Sequence, residues 1–193
     1  MESIQRREAL KRVSAIMGGA LAAPTVAGIL NGCAAKPELS WIPKFFSEDQ
    51  ARIITTVSDI ILPKTDTPSA SELGVPGYVE EIVSLIMDAD RQKQFMDGLS
   101  EWEKECESSM GDKFNDLSAA DQSIFVNDQH DKIQGKRIAP DERPFIWKIK
   151  EIVVAGYFTT EVGMTQILQY VQTPTRYDAC ISVEEAGGRA WGT

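Results

Sequence analysis

Apolar residues recur at spacings of three and four along most of this 193-residue chain, and that spacing places them on one face of an α-helix. The first of these predicted helices has the clearest start and end signals. Ser47 and Gln50 match a capping box at its start, and Pro63 ends it. Its inward positions are Ile53, Ile54, Val57, Ile60 and Ile61. No run alternates cleanly between apolar and polar residues, so strands are not expected.

Four further helices are predicted after a loop that runs from Lys64 to Gly77. The second helix has inward positions at Val79, Ile82, Val83 and Ile86. The third has them at Phe95, Leu99, Trp102 and Cys106. Ser118 begins the fourth helix, which is the least regular and leads into Ile124 and Phe125.

Pro144 suits the first position of the fifth helix, because its missing N–H would have no intrahelical acceptor there. The inner face of this helix holds Phe145, Ile149, Ile152, Val153 and Gly156. Buried helical stripes are satisfied by packing against one another. The predicted fold is therefore all-α, a compact bundle of about five helices with an irregular C-terminal tail.

The same patterns divide the chain into four parts. Residues 1–32 have the composition of an export signal, and residues 33–46, with Pro37 and Pro43, are typical of a tether. The helical domain is predicted over 47–163. Periodicity stops after Gly163, so residues 164–193 are expected to pack as an irregular tail on the domain or on a partner.

The export signal has the usual order of a basic region, an uncharged stretch over 13–30 and a cleavage site of small residues. Arg6 and Arg7 resemble the twin-arginine export motif, which serves folded cargo. Leu30-Asn31-Gly32-Cys33 resembles a lipobox, in which Cys33 is acylated and becomes the mature N-terminus. We expect a lipid-anchored body on the periplasmic side of a bacterial membrane. The alternative is an uncleaved transmembrane helix over 13–30.

Charge excludes one class of partner. The formal net charge is −9, and the basic excess lies within residues 1–32, so the body is more acidic still. Nucleic-acid binding needs clustered Lys and Arg to neutralise phosphates. We therefore expect no nucleic-acid partner.

No catalytic constellation is visible in the sequence. His130 is the single histidine, and it stands in a polar stretch typical of a solvated helix face. Acids alternate from Glu101 to Glu107, which spreads them over several faces of a helix. The chain has no metal-binding Cys or His spacing and no glycine-rich nucleotide loop. We expect no catalytic, metal or cofactor residues in this chain.

The cysteines are expected to have separate roles. Cys106 lies on the apolar stripe of the third helix, where a free thiol behaves as a small hydrophobe. Cys180 lies in the tail, and an exposed cysteine tends to pair in an oxidising compartment. Its partner could be Cys106 or a cysteine of another chain.

Three segments together resemble the gluconate 2-dehydrogenase subunit 3 family. The first joins Asp59-Ile60-Ile61-Leu62-Pro63 to Thr65-Asp66-Thr67-Pro68-Ser69-Ala70 and Gly74-Val75-Pro76. The second is Tyr157-Phe158-Thr159-Thr160-Glu161-Val162-Gly163, and the third is Arg176-Tyr177-Asp178-Ala179-Cys180. They follow one another in the family's order over roughly residues 47–181. Ser69, where the family usually has Gly, is a departure.

The resemblance implies an accessory role. Small subunits of this family support the folding, export and stability of a glucose-methanol-choline-type flavoprotein, a membrane-associated sugar or polyol dehydrogenase. That large subunit holds FAD and often an iron–sulfur cluster, and a cytochrome c subunit with haem c commonly receives the electrons. The alternatives are a free-standing periplasmic lipoprotein that acts as a binding module, and an enzyme in its own right.

A partner interface is predicted where the irregular segments carry residues that suit protein contacts. Tyr and Trp bring a large contact area at low entropic cost, and the tail contains several. The candidate interface residues are Thr65, Asp66, Thr67, Pro68, Tyr157, Phe158 and Tyr177. The position of Cys180 in the family-like segment suggests an inter-subunit disulfide.

Overall fold

The computed structural model describes Leu39 and residues 41–173, 180–185 and 187–192. Within these ranges the chain forms five α-helices, which are α1 Glu48–Ile61, α2 Val75–Glu81, α3 Ala89–Met110, α4 Ala119–Asp131 and α5 Phe145–Thr159. Two π-helices extend the set, Ile82–Ile86 after α2 and Gly163–Ile167 after α5. Short 3-10 turns span Phe114–Asp116 and Pro140–Glu142. The all-α prediction is confirmed.

Helix starts follow the predicted caps. The Ser47 hydroxyl accepts from the Gln50 N–H at 3.2 Å, and the Gln50 side chain accepts from the Ser47 N–H at 3.0 Å. Ser118 caps α4 through the N–H of Asp121. Pro144 is the N-cap of α5 rather than its first residue, a shift of one position that leaves its role unchanged.

The core is organised around Trp102 on α3. Its ring lies 4.8 Å from that of Phe114, 4.9 Å from that of Phe125 and 5.4 Å from that of Phe145. The predicted α3 stripe is confirmed, since Phe95, Leu99, Trp102 and Cys106 are all buried. This cluster packs α3, α4 and α5 against one another.

The inward prediction for Ile86 is wrong. Ile86 is 73% exposed, although Val79 and Val83 on the same helix are buried. The chain passes into a π-helix at Ile82, and the N–H of Met87 bonds to the Ile82 carbonyl five residues back. The wider turn rotates later residues away from the α-helical stripe. On α4, Ile124 is exposed, whereas Phe125 and Val126 are buried in the core.

The tail contains a short strand pair that the sequence did not predict. β1, Gln169–Tyr170, pairs in parallel with β2, Trp191–Gly192. The Gln169 N–H donates to the Ala190 carbonyl at 2.7 Å. Two residues per strand are too few to leave a visible alternation in the sequence.

Several predicted residues lie outside the described ranges. They are Arg6, Arg7, Cys33 and Tyr177. Among the helices that the structure describes, none combines the length and the apolar character needed to cross a membrane.

Candidate docking site

Tyr157 joins the end of α5 to the loop between α1 and α2. Its hydroxyl donates to the Pro68 carbonyl at 2.8 Å and is hydrogen-bonded to the Thr67 hydroxyl at 3.0 Å. Only 3% of its surface is exposed. The sequence placed Tyr157 at or near a partner contact, but its ring is buried within the chain. Through this hydroxyl it holds the loop in place.

The loop is fixed at a second point by Asp59, the first residue of the family-like segment. One carboxylate oxygen of Asp59 accepts from the Ser71 N–H at 2.8 Å, and the other accepts from the Ser71 hydroxyl at 2.6 Å. The Ser71 N–H lies in the loop and has no acceptor within a helix, so the Asp59 carboxylate satisfies it. A buried α1 and a buried α5 thus both hold the same irregular segment.

Glu72 closes the loop on its outer side. It accepts from the Lys64 ammonium at 2.6 Å and from the Ser69 N–H at 2.9 Å. These two hydrogen bonds, with that from Lys64 the stronger, hold the pKa of Glu72 below its usual value. The loop is therefore pre-organised, and binding through it would cost little ordering entropy.

The candidate residues of the loop differ in what they offer a partner. Thr65 and Asp66 are exposed, whereas Thr67 and Pro68 are partly buried beneath them. Phe158 is partly exposed, and its ring meets that of Tyr157 edge to face at 5.8 Å. The structure thus brings the loop residues, Tyr157 and Phe158 together at the C-terminal end of α5. Whether a partner contacts them stays a prediction.

The second family-like segment forms the turn that leads from α5 into the tail. The Thr160 hydroxyl donates to the Tyr157 carbonyl at 2.7 Å and accepts from the Gly163 N–H at 3.1 Å. A Cβ on Gly163 would overlap the Tyr157 carbonyl oxygen. Only glycine allows this close approach. The same tyrosine therefore positions the loop through its hydroxyl and the start of the tail through its backbone.

The described part of the tail folds back on itself and leaves apolar side chains in solvent. Within the tail, the Arg189 guanidinium donates to the Gln166 carbonyl at 2.8 Å. Four large apolar residues of the tail are between 40% and 70% exposed, namely Tyr170, Ile181, Val183 and Trp191. We call these four residues, together with Thr65, Asp66 and Phe158, the docking surface. Exposed aromatic and aliphatic side chains of this size suit a protein contact.

The two described cysteines are both free thiols in different settings. Cys106 is fully buried and Cys180 is exposed. Burial, assisted by Glu103 and Glu107, raises the pKa of Cys106 to about 11. An internal bond between Cys106 and Cys180, one of the two predicted alternatives, is not formed. A bond from Cys180 to another chain stays a prediction.

Glu80 is a structural residue that sequence analysis missed. It is buried on α2, and one carboxylate oxygen accepts from the N–H groups of Lys44, Phe45 and Phe46 at 2.8–3.0 Å. The other oxygen accepts from the Trp41 indole at 3.0 Å. Residues 41–46, which we call the strap, are thus fixed to the domain. The predicted tether over 33–46 therefore does not extend to its last six residues.

The sequence offered one indication that Glu80 is buried, since this acid stands next to Val79 of the apolar stripe. Burial alone raises the pKa of this carboxyl, but the hydrogen bonds from the strap outweigh it and lower the pKa below its usual value. A buried acid with several donors around it is more often an anchor than a reacting group. Its geometry here is that of an anchor, since every described contact is to the strap.

His130 is not on a fully solvated face, as the sequence indicated, but is partly buried between α4 and α5. Its Nε2 lies 2.6 Å from the Lys150 ammonium, and its Nδ1 lies 3.8 Å from an Asp131 carboxylate oxygen. Within the described ranges no hydroxyl or thiol contacts this imidazole. The same ranges contain no group of three His, Cys, Asp or Glu that could hold a metal ion.

Glu103 on α3 has a perturbed pKa. Burial, and then the nearby Asp49 carboxylate, raise its pKa above the usual value. Lys113 opposes that shift. Glu105, by contrast, accepts from Lys132 and Gln129, both at 2.8 Å. Glu103, which lies near the Asp49 carboxylate, and Glu105, which is bound to Lys132 and Gln129, thus have different environments.

Comparison with known proteins gives one match. A family model described as gluconate 2-dehydrogenase subunit 3 matches residues 48–174, well over half of the chain. No curated protein matches, and no solved structure matches. The match covers the loop, α5 and the start of the tail.

Proposed function

Because the chain belongs to the gluconate 2-dehydrogenase subunit 3 family, we propose that it is the non-catalytic small subunit of a membrane-associated dehydrogenase complex. It binds a glucose-methanol-choline-type flavoprotein that carries the substrate pocket and FAD. Where the complex also has an iron–sulfur cluster or haem c, these groups belong to the other subunits. The small subunit stabilises the flavoprotein and accompanies it to the membrane.

One observation carries this proposal. The hydrogen bond from Tyr157 to Pro68 joins two of the three segments by which the chain resembles the family. The residues of those segments hold a loop and a turn, and the surface that results is rigid, exposed and partly apolar. Such a surface suits a permanent protein contact, in which a few aromatic residues supply most of the binding energy.

The export and anchoring roles rest on residues outside the described ranges. Arg6 and Arg7 support twin-arginine export, and this route accepts a folded complex. A flavoprotein that folds around FAD in the cytoplasm and has no signal of its own would cross with this chain. Acylation at Cys33 would then hold the complex at the periplasmic side of the membrane.

The test is capture of the flavoprotein by a tagged full-length chain and by surface variants of it. Asp66→Arg reverses a charge on the exposed loop, and Trp191→Ser removes an exposed aromatic ring from the tail. Each is expected to reduce the captured flavoprotein about tenfold or more while the circular dichroism spectrum is unchanged. Glu101→Arg, on the exposed face of α3, is the matched control and should capture as the wild type does.

Three other outcomes would reject parts of the proposal. Capture that is unaffected by both variants places the contact elsewhere on the chain. A colourless protein that captures no flavoprotein at all supports a free-standing binding module. Oxidation of a sugar or polyol by the isolated chain would make it an enzyme.

A further inference from the structure

A groove of about 740 Å³ runs along α5, on a side that shares no residue with the docking surface. Its second wall is the turn after α4. The groove is mostly apolar, and its apolar walls are formed by Ile133, Trp147, Val154 and Ala155. Ligand sites in proteins are typically grooves of roughly 300–1,000 Å³ with apolar walls and a few placed polar groups.

The polar group that distinguishes this groove is the ammonium of Lys150. Its hydrogen-bond partner is the imidazole of His130 at 2.6 Å. In the part of the chain that the structure describes, no carboxylate lies within 4 Å of it. Glu151, which also lines the groove, is bound to the Arg143 guanidinium at 2.9 and 3.0 Å. The groove therefore offers a cation that no carboxylate neutralises, in a chain of net charge −9.

Charge and shape together select a ligand class. Residues 147–155 of α5 line the groove, and this stretch of helix is about 12 Å long, roughly the length of a ten-carbon alkyl chain. Apolar walls favour such a chain, and an ammonium favours an anionic head. We propose that this groove binds an amphiphile with a single medium-length acyl chain and an anionic head group, which Lys150 contacts.

The proposal does not depend on the accessory role, because the groove and the docking surface are separate. It predicts affinities that can be compared within one series of probes. Decanoate, used below its micelle-forming concentration with the full chain purified without detergent, should bind in isothermal titration calorimetry. Octanoate should bind about tenfold more weakly, since it buries two fewer methylenes. Decanol should also bind about tenfold more weakly than decanoate, because it lacks the charge.

Two variants locate the site. Lys150→Gln should reduce decanoate affinity about tenfold, to the level of decanol, and should leave decanol binding unchanged. Ala155→Trp fills the groove from an exposed helical position and should abolish binding of both probes. Ala120→Trp, an exposed alanine on α4 away from the groove, is the matched control and should bind as the wild type does.

A final arm identifies the source of the acyl chain. Binding of decanoyl lysophosphatidylglycerol, which has one acyl chain and an anionic head group, would point to a membrane lipid if Lys150→Gln weakens it. Decanoate binding without binding of this lipid would point to a free carboxylate. Both results support the proposal.

Three results would overturn it. The first is the absence of decanoate binding below the micelle-forming concentration. The second is equal binding of decanoate and decanol in both the wild type and Lys150→Gln. The third is loss of the flavoprotein, or a change in oligomeric mass, in Ala155→Trp when the wild type binds no decanoate. That result would make the groove a protein contact.

Discussion

The Tyr157 hydroxyl donates a 2.8 Å hydrogen bond to the Pro68 carbonyl, across 89 positions of sequence. This bond ties α5 to the loop between α1 and α2. Both residues lie in the segments that the family model covers. The account of the chain as a docking subunit depends on this connection, because it makes an irregular loop rigid enough to recognise.

Tyr157→Phe removes this hydroxyl and keeps the ring. The Pro68 carbonyl loses its donor and the Thr67 hydroxyl loses its hydrogen-bond partner, which should lower the free energy of unfolding by about 1 kcal/mol. Capture of the flavoprotein should fall by more than this stability loss explains, because the loop becomes mobile. The control is Tyr78→Phe, since the Tyr78 hydroxyl has no hydrogen bond to the described residues. Equal capture by both variants would contradict the role assigned to Tyr157.

Gly156→Ala tests the close crossing of α2 and α5. A Cβ at this position would lie 2.5 Å from Cδ1 of Tyr78, so the Tyr78 ring or the helices would have to shift. The free energy of unfolding in urea should fall by about 1–3 kcal/mol. Gly98→Ala on α3 is the matched control, because its Cβ would meet Phe145 at an ordinary 3.6 Å. That variant should be more stable by roughly 0.5–1 kcal/mol, through helix propensity. A loss of similar size in both variants would be inconsistent with this packing.

Glu80 should make the attachment of the strap depend on pH. Its pKa in the folded chain is lowered, since the hydrogen bonds of the strap outweigh the effect of burial. Its stabilising contribution is therefore complete above the unfolded pKa of about 4.3 and is lost as the pH falls through the lower folded value. Glu80→Gln should lower the free energy of unfolding by about 2 kcal/mol at pH 7.

The difference between wild type and Glu80→Gln should shrink as the pH falls below the unfolded pKa of about 4.3 toward the lowered folded value. Urea unfolding followed by tryptophan fluorescence measures it at pH 7 and pH 3. Glu81→Gln, at the exposed neighbouring position, should change little at either. A difference that stays the same at pH 7 and pH 3 would show that the charge of Glu80 does not hold the strap.

The two described thiols should react very differently. Cys180 is exposed, whereas Cys106 is buried with its pKa raised to about 11. In a Cys33→Ser variant at pH 8, a disulfide-exchange reagent should label one thiol in the folded protein and a second only after denaturation. Cys180→Ser should remove the fast reaction. Two fast thiols in the folded protein would contradict the burial of Cys106.

The helical pattern predicted the core well where a regular helix buries a single face. All four inward residues of α3 are buried, because 22 residues keep a single period. The prediction for Ile86 was wrong because a π-helix changes the helical period within a short element. The sequence carries no simple mark of such a change, since the residues on either side are equally apolar.

The sequence predicted which residues belong to the candidate site, but not the role that each of them has. The loop and Tyr157 were selected by resemblance, and the structure places them in contact. The burial of Tyr157 could not be predicted, because a tyrosine near a helix end is compatible with either core or surface. Glu80 was missed for a related reason. Its donors are backbone N–H groups, which any residue of the strap would supply.

The most direct test of the account is the absorbance spectrum of the complex that the full-length chain forms in its native membranes. The account predicts that an affinity tag on this chain recovers a larger subunit in a fixed ratio, with flavin absorbance that co-elutes in size-exclusion chromatography. Sugar- or polyol-dependent reduction of that flavin should reside in the larger subunit. A chain that elutes alone and colourless, from membranes in which the flavoprotein is present and active, would contradict it.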